Sequence, residues 1–256
     1  PGMAGAAFLS AYAAYTVGAG LVQIYTASEN RLALQELLPE AIISCYDSYD
    51  DSQLSHLLDW ADVVCIGCGL GMGQISEKIL KNVLKNVSCP CVIDADGLNL
   101  LSRNIELLNQ CCAPVILTPH MKEMSRLTGW SIDTIMEDRF QALDQIIKQS
   151  GPDTKSSIIC VLKDSRTVVA QTNRQKFVNL AGNNSMAKGG SGDVLAGTIA
   201  GLLAQHMAPF EATTVGVFLH ACGGDEAKKS KGSYSVLARD LIQGMADAMK
   251  NAKECR

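Results

Sequence analysis

The stretch of this chain best suited to chemistry is Asn183-Asn184-Ser185-Met186-Ala187-Lys188-Gly189-Gly190-Ser191-Gly192-Asp193. Glycines let backbone N–H groups turn toward a ligand at close range. The run that follows, Val194-Leu195-Ala196-Gly197-Thr198-Ile199-Ala200-Gly201-Leu202-Leu203, is small, apolar and helix-like. A helix that starts at the glycines points the positive end of its dipole at the same spot. The pattern predicts an anion hole at Gly189, Gly190, Ser191 and Gly192, with one acid, Asp193, at its mouth. That pairing suits transfer of a phosphoryl group to a hydroxyl. Backbone donors hold the phosphoryl group, and the carboxylate takes the proton.

Four other polar clusters follow strand-like runs. Asp62-Val63-Val64-Cys65-Ile66 leads into Gly67-Cys68-Gly69-Leu70-Gly71-Met72-Gly73, a strand, a glycine turn and then a helix. That order makes a ligand loop credible, although the spacing is not the Gly-x-Gly-x-x-Gly of a dinucleotide fold. A purely structural tight turn is the alternative. Cys91-Val92-Ile93-Asp94 ends in Ala95-Asp96-Gly97-Leu98-Asn99. There Asp94 and Asp96 are either ligand groups at a strand end or caps of the next helix. Pro114-Val115-Ile116-Leu117 runs into Thr118-Pro119-His120-Met121-Lys122-Glu123. His120 at a helix start reads as a cap or as a ligand group. The strand over 157–162 ends in the polar turn Lys163-Asp164-Ser165-Arg166-Thr167.

The elements that must carry these groups alternate. Helices are predicted over 6–17, 28–38, 53–60, 75–87, after the run Thr118 to Glu123 through Leu127, and over 136–150, 211–228 and 238–250. Strands are predicted between them. Pro1 to Gly5 read as a turn, Asn173-Arg174 as a hairpin turn, and the tail from Lys250 as frayed. Alternating strands and helices up to Leu162 imply a mostly parallel sheet with helices on both faces, read here as one domain over 1–256. Strand-end loops of such a sheet converge on one crevice, which would gather both glycine loops, His120, the carboxylates, Lys163 and Asp193.

Composition narrows the partners. The chain has 256 residues, 47% of them hydrophobic, and a formal net charge of −4. An acidic globular chain is a poor general partner for nucleic acid or an anionic membrane. Ten cysteines sit mostly inside apolar runs, as buried thiols do in a reducing cytosol. Cys65-x-x-Cys68 has the spacing of a metal pair but lacks a second pair, so it reads as core. No signal peptide or membrane span is evident, and a cytoplasmic location is expected.

Taken together, the motifs resemble a known family. Gly190-Ser191-Gly192-Asp193 followed by Val-Leu-Ala-Gly is similar to the anion-hole and base motif of the ribokinase-like superfamily. Pro119-His120-x-x-Glu123 resembles that superfamily's Pro-Asn-x-x-Glu. Further motifs narrow the resemblance to the NAD(P)H-hydrate dehydratase family. They are Gly5-Ala6-Ala7 with Gly18-Ala19-Gly20-Leu21-Val22, Gly69-Leu70-Gly71, Asp94-Ala95-Asp96-Gly97-Leu98-Asn99, and the run Met186-Ala187 to Asp193. The resemblance implies a three-layer ribokinase-like α/β fold, with the superfamily's first strand expected before Pro1. It also implies dehydration of the S epimer of hydrated NAD(P)H, driven by ADP or ATP through a phosphorylated ring hydroxyl.

In that family's terms Asp193 is the catalytic base, and Ala6, Gly71, His120 and Asp193 bind hydrated NAD(P)H. Lys163, Asp164, Ser165, Arg166 and Thr167, with Gly192, bind the adenine nucleotide. Glu123 acts on Mg²⁺ through water. A homo-oligomer is implied, a tetramer being one form, and an epimerase partner or fused epimerase domain is compatible. Two departures stand out: Asp164 where the family often has Gly, and His220-Ala221-Cys222-Gly223-Gly224-Asp225 in the penultimate helix, where Gly223 is expected to allow close approach to the nucleotide. The rival readings are a ribokinase-like kinase for a vitamin precursor or sugar, and a non-catalytic nucleotide-binding protein.

Overall fold

A computed structural model describes residues 3–149, 157–172 and 175–254. In chain order the elements are α1 (Ala4–Thr16), β1 (Gln23–Ala27), α2 (Arg31–Leu37), β2 (Ile42–Tyr46), α3 (Asp51–Trp60), β3 (Val64–Ile66), α4 (Gln74–Asn86), β4 (Cys91–Ile93) and α5 (Ala95–Leu101). There follow β5 (Val115–Leu117), α6 (Met121–Thr128), α7 (Ile132–Glu137), α8 (Arg139–Gln149), β6 (Ile158–Leu162), β7 (Val168–Gln171) and β8 (Lys176–Val178). The chain closes with α9 (Ser191–Leu203), α10 (Pro209–Ser235) and α11 (Ala238–Glu254). The elements divide into two compact units, Pro1–Ser44 with Asn179–Arg256, and Cys45–Val178.

The first unit is built on close helix packing. Gly197 of α9 lies against α1 so tightly that a Cβ there would fall 2.0 Å from the Ser10 carbonyl oxygen. One turn on, a Cβ at Gly201 would fall 2.6 Å from the Ala14 carbonyl oxygen. The contacts climb both helices together, so α1 and α9 run parallel and start at the same end. Alanines and glycines make this approach possible, because a larger side chain on either helix would wedge the backbones apart. A second glycine crossing joins α10 to α11, where a Cβ at Gly244 would meet the Gly223 carbonyl oxygen at 2.1 Å. Ala13, Val194, Ala227, Leu241, Ile242 and Met245 pack into one core cluster of this unit. Strands β1 and β2 pair with each other in a two-stranded sheet.

The second unit holds a six-stranded sheet in the order β3-β4-β5-β6-β7-β8. The first four strands are parallel, with Ile66, Ile93 and Leu117, the last residues of β3, β4 and β5, in register with Cys160 in the middle of β6. β7 runs antiparallel to β6, and β8 antiparallel to β7. Strands β4, β5 and β6 are buried at every position, which is why they read as unbroken apolar runs. The edge strand β8 alternates exposed and half-buried residues.

Several expectations need correction. Ala4 already belongs to α1, so the opening turn is shorter than Pro1 to Gly5. The predicted helix over 136–150 is two helices, because Asp138 leaves helical geometry at φ −144 and ψ 92. The helix predicted over 211–228 runs from Pro209 to Ser235, with a break at Gly232. Helix α11 continues to Glu254, beyond the predicted fraying point. The first two strands belong to their own small sheet, separate from the parallel one. The hairpin turn at Asn173-Arg174 lies outside the described residues.

Candidate functional site

In the first unit the glycine loop is organised by one amide. The Asn183 Oδ1 accepts from the Ser185 N–H at 3.0 Å. Its Nδ2 donates to Asp225 Oδ1 at 2.7 Å and to the Gly224 carbonyl at 3.0 Å. Asp225 Oδ2 also accepts from the Gly182 N–H at 3.1 Å. The loop then folds back on the Met186 carbonyl, which accepts from the Lys188 N–H at 2.8 Å and the Ser191 hydroxyl at 2.7 Å. The Ser191 hydroxyl is thus committed as a donor inside the loop, and the Ser191 N–H points at the Lys188 carbonyl at 3.3 Å, so a ligand has to compete for either donor.

Gly190 starts α9 at φ +92, a left-handed conformation that an L side chain rarely adopts. A Cβ there would also strike Leu9 of α1, at 2.6 Å. Gly189 faces open space, where a Cβ would meet nothing within 4 Å. Asp193 is the third residue of α9 and is half-buried. The first-turn N–H groups of a helix lack intrahelical acceptors, so this end offers donors beside an acid. Since α1 and α9 start at the same end, the unit brings Ala6, in the first turn of α1, to the end that carries Asp193 and residues 189–192.

Asn183 and Asp225 are supports that sequence reasoning passed over. The Asn-x-Ser spacing of an Asx turn was the available signal for Asn183. Gly223 has a packing role that the sequence did not reveal. Its missing side chain admits α11, since a Cβ there would lie 2.6 Å from the Leu241 carbonyl oxygen.

In the second unit the strand ends gather the other candidates. Gly67, directly after β3, has φ +119, and a Cβ there would lie 1.8 Å from the Asp94 carbonyl oxygen. Only glycine fits, and the turn thereby delivers residues 67–73 beside the end of β4. The Gly71 N–H donates to Asp96 Oδ2 at 2.8 Å, which fixes both loops. Asp94 stands at the start of α5 but does not cap it. Its carboxylate is buried and meets the Lys163 ammonium at 2.6 Å. Burial works against the charge of Lys163, but Asp94 and then Glu123 outweigh it and raise its pKa.

His120 and Glu123 form a reciprocal cap on α6. His120 Nδ1 accepts from the N–H groups of Lys122 and Glu123, at 3.1 and 3.3 Å, and Glu123 Oε2 accepts from the His120 N–H at 2.9 Å. An accepting Nδ1 places the proton of neutral His120 on Nε2, which lies 3.4 Å from Glu123 Oε1. Burial, and then the Lys163 cation, lower the His120 pKa. Burial pushes the Glu123 carboxyl up to about 7, against the pull of Lys163. The cap reading of His120 is therefore correct, and its Nε2 edge, half-exposed, can still meet a ligand.

The turn over 163–167 starts from this cluster. The Lys163 N–H donates to the Pro119 carbonyl at 2.8 Å, and the Thr167 hydroxyl donates to the Asp164 carbonyl at 3.3 Å. Asp164 Oδ2 is bridged to Arg139 at 2.7 Å. Ser165 and Arg166 are exposed.

A divalent cation of the magnesium type takes hard oxygen ligands and keeps several waters. Asp94, Asp96 and Glu123 supply such oxygens, but each already has one engaged, by Lys163, Gly71 and His120 respectively. The donor set fits a cation reached through water, with Glu123 as the outer carboxylate.

A family model described as NAD(P)H-hydrate dehydratase matches residues 1–246. The chain is 35% identical over 262 residues to a bifunctional NAD(P)H-hydrate repair enzyme of Moorella thermoacetica, covering 99% of this chain and 48% of that protein. It is 36% identical to an ADP-dependent (S)-NAD(P)H-hydrate dehydratase of Neisseria meningitidis, covering 98% of this chain and 82% of that one. Among solved structures, an ADP/ATP-dependent NAD(P)H-hydrate dehydratase of Bacillus subtilis, co-crystallised with ATP/Mg²⁺ and soaked with CoA, matches with a TM-score of 0.80. That match has 28% identity and covers 97% of this chain and 87% of the other. A ribokinase-like superfamily protein of Enterococcus faecalis matches with a TM-score of 0.79 at 34% identity, covering 96% of this chain and 82% of that one, so the fold is ribokinase-like, as expected. The chain spans about half the length of the bifunctional relatives it matches. Among the described residues no helix is long and apolar enough to cross a membrane.

Proposed function

Because the chain belongs to the NAD(P)H-hydrate dehydratase family, we propose that it returns the S epimer of hydrated NAD(P)H to NAD(P)H, using ADP or ATP. The observation that carries this reading is the shared start of α1 and α9, which sets Ala6 at the end that holds the glycine loop and Asp193. Hydroxide is a poor leaving group and phosphate a better one. Asp193 accepts the proton of the ring hydroxyl as its oxygen attacks the terminal phosphorus of the nucleotide. The phosphorus–oxygen bond to the nucleotide breaks, and N–H groups of residues 189–192 hold the transferred group. The carbon–oxygen bond then breaks, phosphate leaves with the electron pair, and the neighbouring ring carbon gives up a proton as the double bond returns.

Ala6, Gly71 and His120 contact the hydrated dinucleotide in this reading, and Lys163 to Thr167 with Gly192 contact the adenine nucleotide. Mg²⁺, reached by Glu123 through water, supplies neutralisation of the phosphate charge. The reading extends to one functional domain, supported by a single family model that runs through both units. An epimerase partner or fused domain is supported by relatives of about twice this length. A homo-oligomer and a cytoplasmic location complete the proposal.

The test gives purified protein hydrated NADH, Mg²⁺ and either ADP or ATP, and follows the near-ultraviolet absorbance of NADH. Recovery with at least one nucleotide is expected. Asp193→Ala should keep nucleotide binding and lose about 10²–10⁴-fold in turnover, the usual contribution of a positioned base. Absence of recovery with both nucleotides overturns the reading. A phosphorylated product that accumulates without NADH would mark a kinase instead.

A further inference from the structure

We propose that Arg139 is a positioning residue for the adenine nucleotide: its bridge to Asp164 ties down the apex of the loop over 163–167 and cancels an acid that would otherwise oppose the phosphates. The inference rests on the reading of that loop as the nucleotide site.

The loop is anchored at its start, where the Lys163 N–H meets Pro119 and the Lys163 ammonium meets Asp94. It is anchored again where Thr167 closes onto the Asp164 carbonyl and β7 begins at Val168. Between these points the side-chain tie to another element is the Arg139–Asp164 bridge, at 2.7 Å. The two side chains are only 26% and 28% exposed, so water screens the pair less than it would a surface bridge.

Arg139 breaks two local rules to be there. It is the first residue of α8, where the helix dipole disfavours a cation. Its Nε is also buried without a hydrogen-bond partner. Neither is explained by the needs of the helix, and local rules tend to be broken where a site needs it. The break at Asp138 creates this helix start, and Asp138 Oδ1 then caps it by accepting from the Gln141 N–H at 2.9 Å. The interruption between α7 and α8 therefore puts a guanidinium within reach of the loop. A carboxylate at position 164 without that partner would add like charge within a Debye length of a polyphosphate.

The experiment measures Kd for ADP and ATP by calorimetry, and KM and kcat for the nucleotide, on the full chain with Arg139→Ala, Arg139→Gln and Arg139→Ala/Asp164→Asn. Arg139→Ala is expected to raise Kd and KM about tenfold, with kcat at saturating nucleotide held within about twofold. Arg139→Gln, which keeps most of the bulk, should behave alike and serves if the alanine variant does not fold. Removing the acid as well relieves the like charge but not the lost tie, so KM should recover only part of the way to the wild type, and added salt should shrink the single-variant penalty. Unchanged Kd in both single variants overturns the inference, as does a double variant no better than Arg139→Ala. A wild type that binds neither nucleotide overturns the loop reading itself, which separates the two failures.

Discussion

Replacing Asp94 with Ala strands the ammonium of Lys163. The two groups meet at 2.6 Å, with Asp94 1% and Lys163 18% exposed. A surface ion pair contributes about 0–1 kcal/mol. Removing one partner of a buried pair costs about 3–5 kcal/mol, because the other charge is left unsolvated. Lys163 keeps some access to water, so the lower end, about 3 kcal/mol, is appropriate. In a chain of this size each kcal/mol moves Tm by about 2–4 °C, so a drop of about 6–12 °C is expected. Thermal unfolding by circular dichroism in nucleotide-free buffer measures it. The folded-state pKa of Lys163 is raised. Its contribution is therefore complete below the unfolded lysine value and fades as pH rises through the folded one, so the comparison is made at one pH above the Glu123 value and below the lysine range. Asp94→Ala/Lys163→Met, which removes both charges, should recover most of the loss. A drop of less than about 2 °C, or a double variant no better than the single, would refute the reasoning.

Two further predictions concern stability. Gly197→Val is expected to separate α1 from α9 and cost more than the usual 1–3 kcal/mol of an overpacked core, since even a Cβ would fall 2.0 Å from backbone; urea unfolding or loss of soluble protein would report it. Glu123, with its folded pKa raised to about 7, ionises more readily when unfolded, so the wild type should lose stability between the ordinary glutamate pKa and that value. Glu123→Gln should flatten this fall, seen by comparing Tm at pH 5 and 7.5 in metal-free buffer.

The sequence shows most clearly what local physics determines alone. Apolar runs mark β4, β5 and β6, the first two opened by Pro90 and Pro114, because strands buried on both faces have no polar positions to confuse the pattern. The loops after them are legible for the same reason. The break at Asp138 is not, since Met136, Phe140, Leu143 and Ile147 continue a helical period across it. Met136 proves to be exposed, so its place in that period carries no packing information. Pairing partners are equally hidden: nothing in β1 or β2 announces a separate two-stranded sheet. His120 reads as cap or ligand group, and the capping half of that choice is settled only by seeing Nδ1 against the two N–H groups. Asp164 stands out as an acid in a phosphate loop, but its partner lies 25 residues earlier, on a helix whose start the sequence does not reveal.

The close contact of α1 with α9 also orders events during synthesis. Residues 45–178 form one continuous stretch of chain, so the sequence of the second unit has been synthesised in full before α9 is made. The first unit does not. Ser10 must wait for Gly197, and the Val17 carbonyl for the Gln205 amide. Until then α1 carries an apolar face with no partner, the kind of exposed segment on which chaperones act. Contacts so distant along the chain also slow folding through the entropy of closing the intervening loop. Of these two helices, the one made earlier thus waits longest for its partner.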